Sequence, residues 1–385
     1  MIFLRDVLFI SVAAFGGPSA HLAMFLKKMV NERGYVNEEE LMELNALCQI
    51  LPGPTSTQTI TAIGFKVGGP VLAYLTLIVW ILPAFTLMTT AGIFMSHLVE
   101  MNKSVEFARF LQPIAVGFVS YAAYTINSKI IKTYEGGAIM IISAIVSFML
   151  KSPFVFPILL LGSGALTAIK FKEQPKEPRS RFKINWSNFI LWFVVFLSIS
   201  AIANLSGFRP LLLLENFYRN GSLIFGGGQV LIPLIYTEFV EFKHYLTSEE
   251  FLTGYAIVQA VPGPVFSFTS YIGVLAMREY GIIGEILGSF FATIGIFLPG
   301  TFFIFFVIRF WSELKKFRIV RASIEGVNAA SSGMVIAAAF LMFQPLEPDF
   351  INMTFIISTF LLLMFTRVPP PFIIVVGLIA GFIVF

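Results

Sequence analysis

Phe15-Gly16-Gly17-Pro18 followed by Pro52-Gly53-Pro54 is matched, 210 positions later, by Phe225-Gly226-Gly227-Gly228 followed by Pro262-Gly263-Pro264. The residues between keep the same register: Tyr35 falls on Tyr245, Glu39 on Glu249, Glu40 on Glu250 and Gln49 on Gln259. Further on the offset widens to 216, pairing Leu82-Pro83 with Leu298-Pro299 and Pro153 with Pro369. The chain is therefore a duplicated unit, and each copy carries two clusters of glycine and proline, the residues that interrupt helices. A long internal repeat in a very apolar chain is the organisation of transporters, whose site forms where the two copies meet.

Composition sets the solvent. Of 385 residues, 57% are hydrophobic and 12% charged, against about 45–50% and roughly 25% in soluble proteins. The mean hydropathy is +0.85, which implies a polytopic membrane protein embedded in a lipid bilayer. The net charge of +4 does not suggest nucleic acid, because the basic residues sit between apolar segments rather than in one stripe. One cysteine, Cys48, and three scattered histidines, His21, His97 and His244, argue against a metal centre, and no cofactor is expected. The apolar run at 7–15 could pass for a signal peptide. Cleavage there would cut into a motif that the second copy keeps deep inside the chain.

Each copy opens with short apolar pieces, in the first copy 4–14, 19–29, 41–50 and 55–65. About 11 residues at ~1.5 Å each give roughly half of the ~30 Å hydrocarbon core. Each pair therefore reads as a re-entrant hairpin, whose irregular tip is tolerated at membrane depth only inside protein or beside a water-filled cavity. Longer segments follow at 71–94, 106–127, 138–150 and 154–169, and in the second copy at 285–308, 323–343, 351–365 and 371–385. Between the copies lie a charged linker with Pro175 and Pro178 and an apolar stretch, 186–205, that has no counterpart. One added crossing starts the second copy on the opposite face. The expected fold is an all-α polytopic membrane protein: two inverted-topology repeats, each with two re-entrant helical hairpins and about four spanning helices, joined by one extra transmembrane helix. The boundaries are 1–170 for the N-terminal repeat, 171–185 for the cytoplasmic linker, 186–205 for the connecting helix and 206–385 for the inverted C-terminal repeat. With the N-terminus inside and the C-terminus outside, most of the 26 Lys and Arg residues fall on the cytoplasmic face, as the positive-inside rule asks.

The tips suit an anion. A half-helix that begins at mid-membrane presents free amide N–H groups and about half a positive charge, and glycines allow close approach to the main chain. The expected substrate-binding residues are Gly16, Gly17, Pro18, Ser19 and His21 at the first break and Pro52, Gly53, Pro54, Thr55, Ser56 and Gln58 at the second. In the other copy they are Gly226, Gly227, Gly228 and Gln229, then Pro262, Gly263, Pro264 and Ser267. A bare Pro-Gly-Pro usually does no more than turn a chain; pairing and duplication raise its weight.

At these residues the sequence resembles the chromate ion transporter family. Phe15-Gly16-Gly17-Pro18 with Ala20-His21, and Leu51-Pro52-Gly53-Pro54-Thr55-Ser56-Thr57-Gln58, look like that family's N-terminal repeat. Phe225-Gly226-Gly227-Gly228-Gln229 and Val261-Pro262-Gly263-Pro264-Val265 look like its C-terminal repeat. The resemblance implies a two-repeat carrier in the bacterial plasma membrane that exports chromate, driven by proton motive force. Two features depart from it: Tyr35 and Tyr245 stand where members often carry Trp, and 66–70 reads unusually at the start of the first spanning helix.

Among ionisable residues in apolar segments, Glu325 is the candidate for proton coupling, against a plain pairing with Arg321 one turn away. Asp6 with Arg5, and Glu215 with Arg219, read as similar local pairs. A membrane enzyme is the rival class, but the chain has no H-E-x-x-H and no G-x-S-x-G. Within transporters the alternative cargo is sulfate or another tetrahedral oxyanion, since amide dipoles discriminate poorly between dianions of one shape. A homodimer is compatible with the sequence, which does not specify it.

Overall fold

The computed structural model describes residues 2–100, 106–174, 185–225, 228–314 and 316–384. Gly226, Gly227 and residues 175–184 of the linker lie outside the described residues, as do the side chains of Ser19 and Gln229. The described residues are helical and contain no strand.

The first hairpin is α1 (Ile2–Ala13) and α2 (Gly17–Phe25), the latter continuing as a π-helical turn over Leu26–Glu32. The second is α3 (Glu38–Ile50) and the start of α4 (Thr55–Glu100). Beyond follow α5 (Leu111–Ile130), α6 (Tyr134–Met149), α7 (Val155–Ala168) and the unmatched α8 (Ser187–Ser206). The same order then recurs. Helices α9 (Arg209–Leu223) and α10 (Gly228–Tyr236) form a hairpin with its own π turn at Thr237–Phe242. The next pair is α11 (Ser248–Ala260) and α12 (Phe268–Ala276), α12 entered through a 3-10 turn at Val265–Ser267. After them come α13 (Gly281–Val307), the short α14 (Trp311–Leu314), α15 (Arg318–Phe343), α16 (Phe350–Phe365) and α17 (Pro370–Val384).

Local chemistry explains the matching starts. Asn37 with Glu40, and Thr247 with Glu250, form reciprocal capping boxes at α3 and α11, each satisfying two amides that the helix leaves open. The unusual 66–70 stretch is a kink: Gly68 and Gly69 are non-helical, with Gly69 at φ +71°, and Pro70 restarts the helix. Its counterpart is the turn at Arg278–Tyr280 and Gly281, at φ +65°.

Among the described residues, four helical stretches are long and apolar enough to cross a bilayer: Thr55–Leu98, Ser187–Ser206, Arg278–Val307 and Arg318–Phe343. Helices α6, α7, α16 and α17 are shorter apolar helices, of 16, 14, 16 and 15 residues, or roughly 21–24 Å, close to the lengths of the segments read from the sequence. They are arms that cross over to the other copy. α6 and α7 pack on α15, while α16 and α17 pack on α5. At Gly333 a Cβ would collide with the Met140 carbonyl, and at Gly117 it would meet the Ile356 carbonyl at 2.9 Å; glycine is what lets these helices touch backbone to backbone. Helix α8 lies at the periphery, with Ala203 as its buried residue, packed on α9 and α13.

Equivalent helices α4 and α13 run antiparallel. Tyr74 meets Phe305 with ring centroids 5.4 Å apart, and Thr89 Oγ1 lies 2.5 Å from Ser289 Oγ, so going up one helix means going down the other. Each first hairpin is tied at its base by a buried charge cluster. Asp6 accepts from Arg33 Nε at 2.8 Å and from the Tyr35 hydroxyl at 2.9 Å, rather than pairing with Arg5, because adjacent helical residues point to different sides. Glu238 accepts from Arg219 at 2.7 Å, Lys243 at 2.9 Å and Asn220 at 2.8 Å. The Glu215–Arg219 pair forms as expected, at 3.3 Å.

Candidate functional site: the crossing of four helix breaks

The two Pro-Gly-Pro breaks each bond across the repeats to the helix end that precedes the other copy's first break. Gly53 N donates to the Ile224 carbonyl at 2.8 Å, and Gly263 N donates to the Ala14 carbonyl at 2.8 Å. Both glycines adopt matching left-handed backbone, φ +119° and +111°, a region L side chains rarely occupy. Their surroundings are reciprocal too. A Cβ on Gly53 would lie 3.1 Å from Gly300 Cα, and one on Gly263 would lie 3.0 Å from Ala84 Cβ; Ala84 and Gly300 are themselves equivalent at the 216 offset.

The Gly53 and Gly263 amides are engaged in joining the repeats, and prolines offer none, so the open donors are the first-turn amides that helix geometry leaves without an internal acceptor. At α4 they belong to Thr55, Ser56 and Thr57, all buried, since the intrahelical ladder starts with Gln58 N donating to the Pro54 carbonyl. At α12 they belong to Val265 and Phe266, Ser267 N already donating to Pro264.

Repeat one supplies a polar lining. His21 Nε2 lies 3.2 Å from the Ala14 carbonyl and Nδ1 lies 3.0 Å from Ser56 Oγ. A carbonyl only accepts, so Nε2 carries the hydrogen and Ser56 donates to Nδ1. His21 thus braces α2 against α4, with both nitrogens occupied, and stands edge-on to Trp80 at 5.3 Å. Trp80 Nε1 donates to Thr57 Oγ1 at 3.1 Å. Gln58 Nε2 donates to the carbonyls of Pro52, at 2.8 Å, and Gly300, at 3.0 Å, leaving its buried Oε1 without a partner. The equivalent positions in repeat two, Leu231, Phe266 and Ile296, are apolar and buried; Ser267 remains, buried with its hydroxyl unpartnered. None of the residues named at the crossing is charged.

The predicted site residues gather unevenly. Pro52, Gly53, Pro54, Thr55, Ser56, Gln58 and His21 form the buried polar side, and Pro262, Gly263, Pro264 and Ser267 the other. Gly16 and Pro18 are exposed and Gly17 half-exposed, so this break opens outward, whereas Gly228 lies against Phe266 and Val265. Glu325 is exposed on α15 and accepts from Thr133 Oγ1 at 2.7 Å, in contact with none of the break residues described. Sequence reasoning missed Thr57, Trp80, Ala84 and Gly300, whose signal was their spacing from the breaks. It also missed Glu285, buried on α13 with neither carboxylate oxygen partnered.

The family model described as Chromate transporter matches residues 2–168 and 211–382, leaving the linker and α8 between the two matches. An uncharacterized transporter of Methanocaldococcus jannaschii is 25% identical, over 97% of this chain and 92% of its own. A "probable chromate transport protein" of Synechococcus elongatus is 26% identical, over 96% and 91%, and a "chromate transport protein" of Cupriavidus metallidurans 23% identical, over 99% and 92%. No solved structure matches. A sequence profile covering both copies, on an all-helical chain whose paired glycine breaks meet in one crossing, places this multi-pass membrane protein in the chromate transporter family.

Proposed function

We propose that the protein is a chromate carrier of the bacterial plasma membrane, exporting the dianion at the expense of the proton motive force. Its binding site is the crossing of the four breaks. The observation that supports this reading is the reciprocal pair of bonds, Gly53 to Ile224 and Gly263 to Ala14, each tying a buried helix start of one repeat to the other repeat. The amides of Thr55 to Thr57 and the α4 dipole meet the oxyanion, with Thr55 and Ser267 as hydroxyl donors and His21 and Ser56 holding the frame. Such a site needs no lysine or arginine, and a neutral lining lets the anion leave as well as enter.

The antiparallel course of α4 and α13 supports an inverted arrangement. Equivalent helices related by an axis along the membrane normal would run parallel, whereas an axis in the membrane plane reverses them. With the N-terminus cytoplasmic, the C-terminus is then outside. The names of the relatives favour carriage over catalysis.

The test is flux of labelled chromate in proteoliposomes holding the purified protein, with and without an imposed proton gradient, against competing sulfate and molybdate. Saturable chromate flux, lost in Ser56→Phe and Thr55→Val proteins that still insert, is expected. Flux inhibited more strongly by sulfate than by chromate itself reassigns the cargo, and unchanged flux in both variants removes the site.

A further inference from the structure

Glu285 is fully buried on α13, and neither of its carboxylate oxygens has a hydrogen-bond partner. It does not stand alone along that helix. Ser289, one turn on, is buried and bonded to Thr89 of α4; Thr293, a further turn on, is buried, donates to the Ser289 carbonyl at 2.8 Å and lies 2.8 Å from Ser270 Oγ of α12. Ser270 is one turn from Ser267, whose buried hydroxyl is unpartnered and which lies three residues beyond Pro264 of the Pro262-Gly263-Pro264 break. Ser96 lies two turns along α4 from Thr89, towards the Glu285 end, and its buried hydroxyl is also unpartnered. A row of hydroxyls buried between α4, α12 and α13 thus lies between a lone carboxyl and the crossing, over about 12 Å of helix from Glu285 to Thr293, bonded at Thr89–Ser289 and Thr293–Ser270 and unbonded at its two ends, Glu285 and Ser267.

We infer that Glu285 is the proton-binding group that couples transport, joined to the anion site by the hydroxyl row Ser289, Thr89, Thr293 and Ser270; the inference rests on the chromate-carrier reading above. Ionisable residues inside membrane segments are costly and mark functional sites, proton relays among them. The charged and titratable groups on the elements packed against α13 are otherwise engaged or turned away. Arg209 pairs with Glu279, Arg278 with Glu250, Arg219 with Glu215 and Glu238, and Lys66 with Glu40. The Tyr271 hydroxyl donates to the Glu250 carbonyl, the Tyr218 hydroxyl to the Trp192 carbonyl, and Tyr74 stands edge-on to Phe305. His97 and Tyr280 are exposed; the Glu100 side chain and Lys103 lie outside the described residues. Glu325, the sequence's candidate, is exposed and lacks any such row.

In the proposed orientation the start of α13 faces outside, the side from which the proton motive force drives protons inward. A proton from that side forms the O–H bond of the Glu285 carboxylic acid and is released to the cytoplasmic side as the oxyanion moves outward, so no further reactant is required. Protonation gives Glu285 a hydrogen-bond donor, and the change reaches the crossing as the unbonded ends of the row, Glu285 and Ser267, take up partners.

Two assays on the full-length protein in proteoliposomes separate this inference from the reading beneath it. Counterflow of labelled against unlabelled chromate, without a gradient, reports the anion site; accumulation driven by an imposed proton gradient reports coupling. Glu285→Gln is expected to keep counterflow and to lose the gradient-driven component entirely. Gradient-driven accumulation at the wild-type level in that variant overturns the inference, as does loss of counterflow in inserted protein. Should the variant fail to insert, the wild-type protein decides: the apolar carbodiimide dicyclohexylcarbodiimide is expected to label Glu285, found by peptide mass mapping, and to block gradient-driven transport. Absence of label there overturns the assignment. Wild-type protein without counterflow of any oxyanion sinks the carrier reading instead.

Discussion

The Pro-Gly-Pro breaks of the two repeats share a backbone and differ in nearly everything attached to it. Gly53 and Gly263 have φ values of +119° and +111° and bond to matching carbonyls. Around the first stand His21, Ser56, Thr57, Gln58 and Trp80, linked by hydrogen bonds; around the second stand Leu231, Phe266, Phe268 and Ile296. Backbone geometry was retained after duplication because the crossing needs both halves to close. Side-chain chemistry was free to diverge, and the polar groups remained on one side. The base clusters diverged in another way, by exchanging places. In repeat one the buried carboxylate, Asp6, is on the first helix and its cations on the returning strand of the hairpin; in repeat two the buried carboxylate, Glu238, is on the return and Arg219 on the first helix.

Those contrasts can be broken by mutation, beginning with the clusters. Glu238→Ala leaves Arg219 and Lys243 facing each other without their anion, and about 3–5 kcal/mol of stability should be lost. Asp6→Ala should cost less, about 1–2 kcal/mol, because Arg33 and Lys28 are 35% and 28% exposed and can turn to water. Thermal unfolding in detergent measures both, and equal losses would remove the distinction.

At the glycines, Gly53→Ala and Gly263→Ala both force an L residue into left-handed backbone, at about 1–2 kcal/mol each. Gly53→Ala also presses on the Gly300 backbone, whereas Gly263→Ala presses on the Ala84 side chain. Adding Ala84→Gly should therefore recover part of the loss in the second variant. No comparable partner removal exists for the first. Chromate flux per inserted molecule is the readout, and full recovery would show that strain at φ contributes nothing.

The linings make a smaller and more selective prediction. His21→Leu, which copies repeat two, should weaken anion binding by about tenfold through loss of one charge-free hydrogen-bond brace, while Ser267→Ala should change it by less than about threefold. A larger effect at Ser267 would move the polar side of the site to repeat two. Smallest of all is the exposed pair Lys66–Glu40. Lys66 donating to Glu40 holds that carboxyl below the usual carboxylate range, so whatever the pair contributes is present at neutral pH and fades as acid protonates Glu40. Glu40→Gln should remove that acid sensitivity and cost under about 1 kcal/mol.

The duplication, the breaks and the capping boxes were legible because Gly, Pro, Asn and Glu act locally, and their positions announce a broken or a capped helix. Which carbonyl each glycine would bond was not legible, since Ile224 and Ala14 are unremarkable in sequence and distant from Gly53 and Gly263. Asp6 was assigned its sequence neighbour Arg5 when its partner lay 27 residues on, across the hairpin. Glu285 was passed over because it sits near a helix start beside Arg278 and Glu279, where a solvated carboxylate is the ordinary reading. Its spacing of four and eight from Ser289 and Thr293 was the available signal, a polar stripe on an otherwise apolar helix.

The crossed-over arms change what can swing. Because α6 and α7 belong with α15, and α16 and α17 with α5, neither repeat owns a complete body. Any rigid bodies that rock during a transport cycle are built from both genetic halves at once, each long helix carried by its counterpart's tail. A protein severed between the copies would thus yield two fragments that keep the packing of their own hairpins but lack the tail that covers their long helices.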